Sequence, residues 1–178
     1  MSKPTLRLLA LALSAAFAGQ AAAVEIQLTN FDAGTGVGLD DPTPRAPVGG
    51  NPGTTLGEQR QIAYQYAADL WSAVLDGDTP VRVIASTQPL SCTPTGGTLA
   101  QAGALQVVAN FPGSIANTWY HVALAKGITG FDYPTDFDIL TQFNGAIGVD
   151  PNCLTGSDWY YGLDGATPPG RINFLNVV

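Results

Sequence analysis

Apolar and polar residues alternate from Val24 to Phe31. Val24, Ile26, Leu28 and Asn30 fall on one side, and Glu25, Gln27 and Thr29 on the other. A period of two predicts a half-buried strand with one wet face. The pattern lapses over Asp32 to Gly53, where dense Gly and Pro predict a long loop wrapped around the domain. It resumes with a longer period. Thr55 and Glu58 have capping-box spacing, the hydroxyl accepting from the N3 amide and the carboxylate from the cap amide. Ala63, Tyr66, Ala67, Leu70, Trp71 and Val74 then recur at three- and four-residue intervals. They predict one apolar helical stripe packed on a sheet, closed by Asp76-Gly77 and Pro80.

Further strands are predicted over Val81 to Ser86, Leu105 to Phe111 and Thr118 to Leu124. In the last, Trp119, His121 and Ala123 share a face. Asp136 to Phe143 fits helix or strand. Trp159 to Leu163 is aromatic and strand-like. After Pro168-Pro169-Gly170, Ile172, Leu175 and Val178 recur at helical spacing with Phe174 beside them, and predict a new helix. Strand, helix, then several strands reads as α+β: one twisted, mostly antiparallel or mixed sheet with one long helix packed on it. No repeat or linker divides the chain.

The first segment changes what the composition means. Lys3 and Arg7 precede an apolar run from Leu8 to Ala18, and Ala21-Ala22-Ala23 offers a cleavage site. Residues 1–23 read as a signal peptide, leaving a mature domain at 24–178 that is secreted, extracellular or periplasmic. Cleavage removes two cations and no acid, so the formal net charge moves from −7 to −9. Such a chain lacks the Lys/Arg surface that nucleic acid requires. No later segment is long enough to span a bilayer, so no membrane partner is expected after cleavage. The only cysteines, Cys92 and Cys153, lie in turn-like surroundings, and export predicts a disulfide between them.

Candidate chemistry is sparse. Gly34-Thr35-Gly36-Val37-Gly38 follows a strand, but Leu39-Asp40-Asp41-Pro42 cannot be the helix that a nucleotide loop needs next. Asp32, Asp40 and Asp41 are weak candidates for calcium, with Asp132, Asp136 and Asp138 as a second acidic cluster; the competing reading for both is a solvated turn. His121 is the single histidine, so this chain holds no two-histidine metal site, and no G-x-S-x-G occurs. Glu25 and Glu58 are the only glutamates, and each has a structural reading. Asp-based sugar hydrolysis stays open. Trp159, Tyr160 and Tyr161 read as packing, with stacking on a sugar or peptide as the alternative.

Several stretches, in order, resemble secreted bacterial zinc metalloproteases of the zincin class, whose members often carry a protease-associated domain. They are Asn51-Pro52-Gly53-Thr54-Thr55-Leu56-Gly57-Glu58-Gln59-Arg60, Ala67-Ala68-Asp69-Leu70-Trp71, Val81-Arg82-Val83, Asn117-Thr118-Trp119-Tyr120, Gln142-Phe143-Asn144, Trp159-Tyr160-Tyr161-Gly162-Leu163-Asp164 and Asn173-Phe174-Leu175-Asn176-Val177-Val178. The resemblance covers nearly all of 24–178. It implies the upper subdomain of a zincin-like catalytic domain, a zinc cofactor for the full-length family, and a peptide or protein substrate received along an edge strand. In that family the last stretch leads into a helix bearing H-E-x-x-H, where two histidines hold zinc and the glutamate activates water. That motif is absent here, so no catalytic or zinc-binding residue carries over. The expectation is an incomplete domain, truncated before the zinc helix and inactive alone. A secreted β-rich binding or surface protein without catalysis is the alternative.

Overall fold

The computed structural model describes residues 23–134 and 136–178. Apart from Ala23, the expected export signal lies outside them. The alternation at the front forms β1 (Ile26–Asn30), and a loop holding one 3-10 turn (Gly38–Asp40) leads to α1 (Leu56–Ser72). Then come β2 (Val81–Gln88), the short hairpin of β3 (Cys92–Thr93) and β4 (Gly96–Gly97), β5 (Ala100–Ala104), β6 (Val107–Ala109), β7 (Trp119–His121) and α2 (Val122–Thr129). The chain continues through β8 (Ile139–Asn144), β9 (Asp158–Tyr160) and β10 (Arg171–Asn173), which runs into a second 3-10 turn (Phe174–Asn176).

The main sheet has the order β1-β2-β8-β5. The first three strands are parallel and β5 pairs antiparallel to β8. The fold is therefore α+β with a mixed sheet and a 17-residue helix against it. Registers Leu28↔Val83, Val83↔Ile139 and Ala102↔Thr141 carry one face across all four strands. That face supplies Leu28, Val83, Ala85, Ile139 and Phe143 to the core, and Tyr64 of α1 packs into it. Phe174 is the centre of the aromatic part, with ring centroids 4.6 Å from Phe143, 5.2 Å from Tyr161 and 5.5 Å from Trp159.

The capping box forms as its spacing predicts: Glu58 N–H donates to Thr55 Oγ1 at 3.1 Å, and Thr55 N–H donates to the Glu58 carboxylate at 3.1 Å. The face of α1 that turns inward keeps Ala63 and Ala67 of the predicted stripe but not the rest of it. Leu56, Gln59, Arg60, Ala63, Tyr64 and Ala67 are buried, while Leu70, Trp71 and Val74 are exposed, Trp71 at 54%. Two polar residues displaced the stripe because their heads find partners inside. Gln59 donates to the carbonyls of Ala46 and Gly53, and Arg60 donates to Gly38 O and the Tyr161 hydroxyl. Buried polar groups are tolerated when so satisfied. These bonds also tie the long loop down, as does Asn51, whose amide donates to Gln59 O and Tyr161 O, each at 2.9 Å. Gly38 sits at φ 61°, and a Cβ there would run into the Asp32 carboxylate.

Three other expectations change. Thr118 to Leu124 is a strand only over β7; from Val122 it is helix, ended by Gly130 in the left-handed region at φ 66°. Val122, Ala125 and Lys126 are its buried side, spaced as a helix and not as a strand. Leu105 to Phe111 shrinks to the three residues of β6, and the sheet edge is instead the preceding β5. The C-terminal apolar run is not a helix: β10 pairs parallel with β9, and the Asn173 side chain accepts from Leu175 N–H to turn the backbone into the 3-10 geometry. The ambiguous stretch before Asn144 is β8, the strand between β2 and β5.

Candidate functional site

The sheet has one antiparallel border. Leu105 N–H donates to Asp138 O at 3.0 Å and Asn144 N–H donates to Leu99 O at 2.8 Å, just beyond the two ends of the β5–β8 ladder. In an antiparallel pair, hydrogen-bonded and non-bonded residues alternate. The ladder residues of β5 are therefore Gln101 and Gly103. The amides and carbonyls of Ala100, Ala102 and Ala104 point away from β8, along a border that among the described residues pairs on one side only.

The side chains at this edge are small. Beside it runs a cleft of about 210 Å³, lined by Tyr64, Leu99, Ala100, Ala102, Phe143 and Val178. In its wall the Tyr64 hydroxyl meets Thr141 Oγ1 at 2.5 Å, while on the opposite face of the sheet the Gln101 amide donates to Gln142 Oε1 at 2.6 Å across the strands. Burial pushes the Tyr64 phenol above its usual range, so it stays protonated and serves as a hydrogen-bonding wall. The arrangement fits an added extended strand: main-chain bonds at alternate residues and a shallow apolar trough for alternate side chains.

The predicted site residues divide differently. Asp32 is buried, and its Oδ2 accepts from Leu39 N–H at 2.8 Å and Thr87 N–H at 2.9 Å. Asp40 accepts from Gly36 N–H at 3.1 Å. Burial works against ionised Asp41, yet hydrogen bonds from Thr43 and the charges of Arg60 and Arg45 hold its carboxyl below the ordinary range. Each of these carboxylates organises its own turn. Among the described residues, no group of three or more His, Cys, Asp or Glu side chains gathers as a metal site.

The second acidic cluster contains its own cations. Lys126 of α2 is fully buried, with Nζ 2.8 Å from Asp138 Oδ1 and 2.7 Å from Asp132 Oδ1. Arg82 donates to both Asp132 oxygens, at 3.0 and 2.6 Å. Asp136 is exposed. His121 is exposed at the N-cap of α2, with no side-chain capping bond. Trp159 and Tyr161 are buried and form the core against Phe174, as the packing reading has it; Tyr160 is buried outside that cluster, with its hydroxyl on Asp164.

Cys92 and Cys153 form a disulfide with Cα atoms 5.1 Å apart. No helix among the described residues is long and apolar enough to cross a membrane. The β5 edge escaped the sequence reading because Ala-Gln-Ala-Gly-Ala has neither β-branched nor aromatic residues. A usable signal was present: no Asp, Glu, Lys or Arg occurs from Val83 to Ala125. Comparison with family models, curated proteins and solved structures finds no match to this chain.

Proposed function

We propose that this chain is the peptide-receiving part of a secreted zinc metalloendopeptidase-like protein and takes an extended peptide along β5. The observation that carries the reading is the antiparallel border at Ala100, Ala102 and Ala104, which no other strand among the described residues pairs. It is supported by the ordered sequence resemblance to the zincin class and by a disulfide suited to an oxidising compartment. The residues present do not fit a zinc site. The single histidine stands exposed at a helix start, both cysteines are bridged, and the candidate carboxylates Asp32, Asp40, Asp41, Asp132 and Asp138 are engaged with backbone or cations. No catalytic step is assigned to this chain, and its role is to bind and align.

Amide exchange tests the reading. The purified protein is mixed with an N-acetylated, amidated Ala/Val hexapeptide and with the same peptide N-methylated at alternate residues. The unmodified peptide is expected to protect the amides of Ala100, Ala102 and Ala104, and the methylated one to leave them exchanging. Ala102→Pro removes an outward donor without taking a bond from the β8 ladder, and is expected to abolish protection at the two outward amides that remain, Ala100 and Ala104. Protection elsewhere, or protection that survives this substitution, counts against the proposal.

A further inference from the structure

The five cations among the described residues are unevenly spent. Lys126 and Arg60 are buried, and Arg82 is clamped on Asp132. Arg45 and Arg171 alone have side chains at least a third exposed, at 34% and 42%. These two come from distant parts of the chain and meet at one atom. Arg45 Nη1 lies 3.4 Å from Asp158 Oδ2, and Arg171 Nη1 bonds the same oxygen. Oδ1 of Asp158 is already taken by Trp159 N–H at 2.8 Å. The Arg171–Asp158 contact follows from register, since the two are partners in the β10–β9 ladder. Arg45 does not. It is brought there by the loop, whose Arg45 N–H donates to Thr54 O at 2.8 Å.

The pair stands at a cleft of about 400 Å³ with Pro47, Val48, Tyr160 and Pro168 in its walls. Asp164, the neighbouring acid, accepts from the Tyr160 hydroxyl at 2.8 Å and Ala166 N–H at 3.0 Å, facing its own turn. Each guanidinium has five N–H donors in a planar fork matched to a carboxylate. Here each fork spends one Nη1 on the same oxygen, and both arginines line the cleft. We infer that this cleft binds a carboxylate group of a peptide, with Arg45 and Arg171 as its clamp and Asp158 as an internal competitor. On an acidic surface, the two exposed cations at one spot give the site its selectivity for a negative ligand.

Titration calorimetry with three capped tripeptides tests this on the purified protein. The first is N-acetyl-Ala-Ala-Glu-amide, the second N-acetyl-Ala-Ala-Ala with a free C-terminal carboxylate, and the third the neutral N-acetyl-Ala-Ala-Gln-amide. One or both acidic peptides are expected to bind, and which one binds identifies a side-chain or a C-terminal carboxylate as the source. Binding is expected to weaken with salt. Arg45→Gln leaves the β9–β10 pair intact and should weaken binding by about tenfold, the scale of one lost charged hydrogen bond. Asp158→Asn, by removing the competitor, should strengthen it. The inference is overturned if neither acidic peptide binds, if the neutral peptide binds equally well, or if Arg45→Gln leaves affinity unchanged.

Discussion

Lys126 shows how this molecule handles charge in its interior. A buried ammonium is costly unless paired, and here three carboxylate contacts within 3.0 Å surround it. Asp138 also accepts from Arg82 N–H at 2.8 Å, so one acid ties α2 to both β2 and the start of β8. Asp132 closes the cluster from outside. Hydrogen bonds from Arg82 and Lys126 hold its carboxyl well below the usual carboxylate range. A depressed folded-state pKa means stability that is present at neutral pH and lost as pH falls below the unfolded value of about 3.9. Melting temperatures of the wild type and Asp132→Asn should therefore differ most near pH 7 and converge progressively below about pH 4. A gap that is constant with pH would mean that Asp132 contributes through shape alone.

Elements were legible where one local rule governed them. Thr55 and Glu58 set the start of α1, and the alternation of β1 survives as its burial pattern. What the sequence concealed was tertiary. Gln59 and Arg60 point inward because Gly38, Ala46, Gly53 and Tyr161 wait there, and residue type alone cannot announce such partners. The same holds at the edge, where poor strand formers become β5 because β8 offers a ladder. Phe174, read as flanking a helix, became the centre of the core only once β9 and β10 paired. The site was even less legible, since it consists of backbone groups. Two substitutions separate the expected and observed faces. Trp71→Gln should change stability by less than about 0.5 kcal/mol, as for an exposed side chain, whereas Phe174→Ala should cost about 3–5 kcal/mol. Chemical denaturation measures both, and a large loss at Trp71 would restore the stripe read from the sequence.

For the whole molecule, the segment whose attachment can be tested is the excursion between β2 and β8. These neighbours in the sheet are joined by the hairpin, the β5 edge and the β6–β7–α2 lobe, and the lobe exposes Ile115, Trp119 and Leu124. Besides the β5–β8 ladder, two fastenings close it. One is the Lys126 cluster, which holds α2 to the sheet. The other is the disulfide, which joins β3 at the outset of the excursion to Cys153 in the core beyond it. Leu154 N–H donates to Thr93 O at 2.8 Å beside the bridge, so backbone and covalent contacts agree there. The bridge spans 61 positions, and a closed loop of that size is worth about 4 kcal/mol by the chain-entropy account. Replacing both cysteines by serine should lower the unfolding free energy by up to about that amount, read as a lower denaturant midpoint. The same change should speed amide exchange in β5 before it does in β1, because β5 belongs to the excursion and β1 does not. A double variant with an unchanged midpoint would show that the native contacts hold the excursion without the bridge.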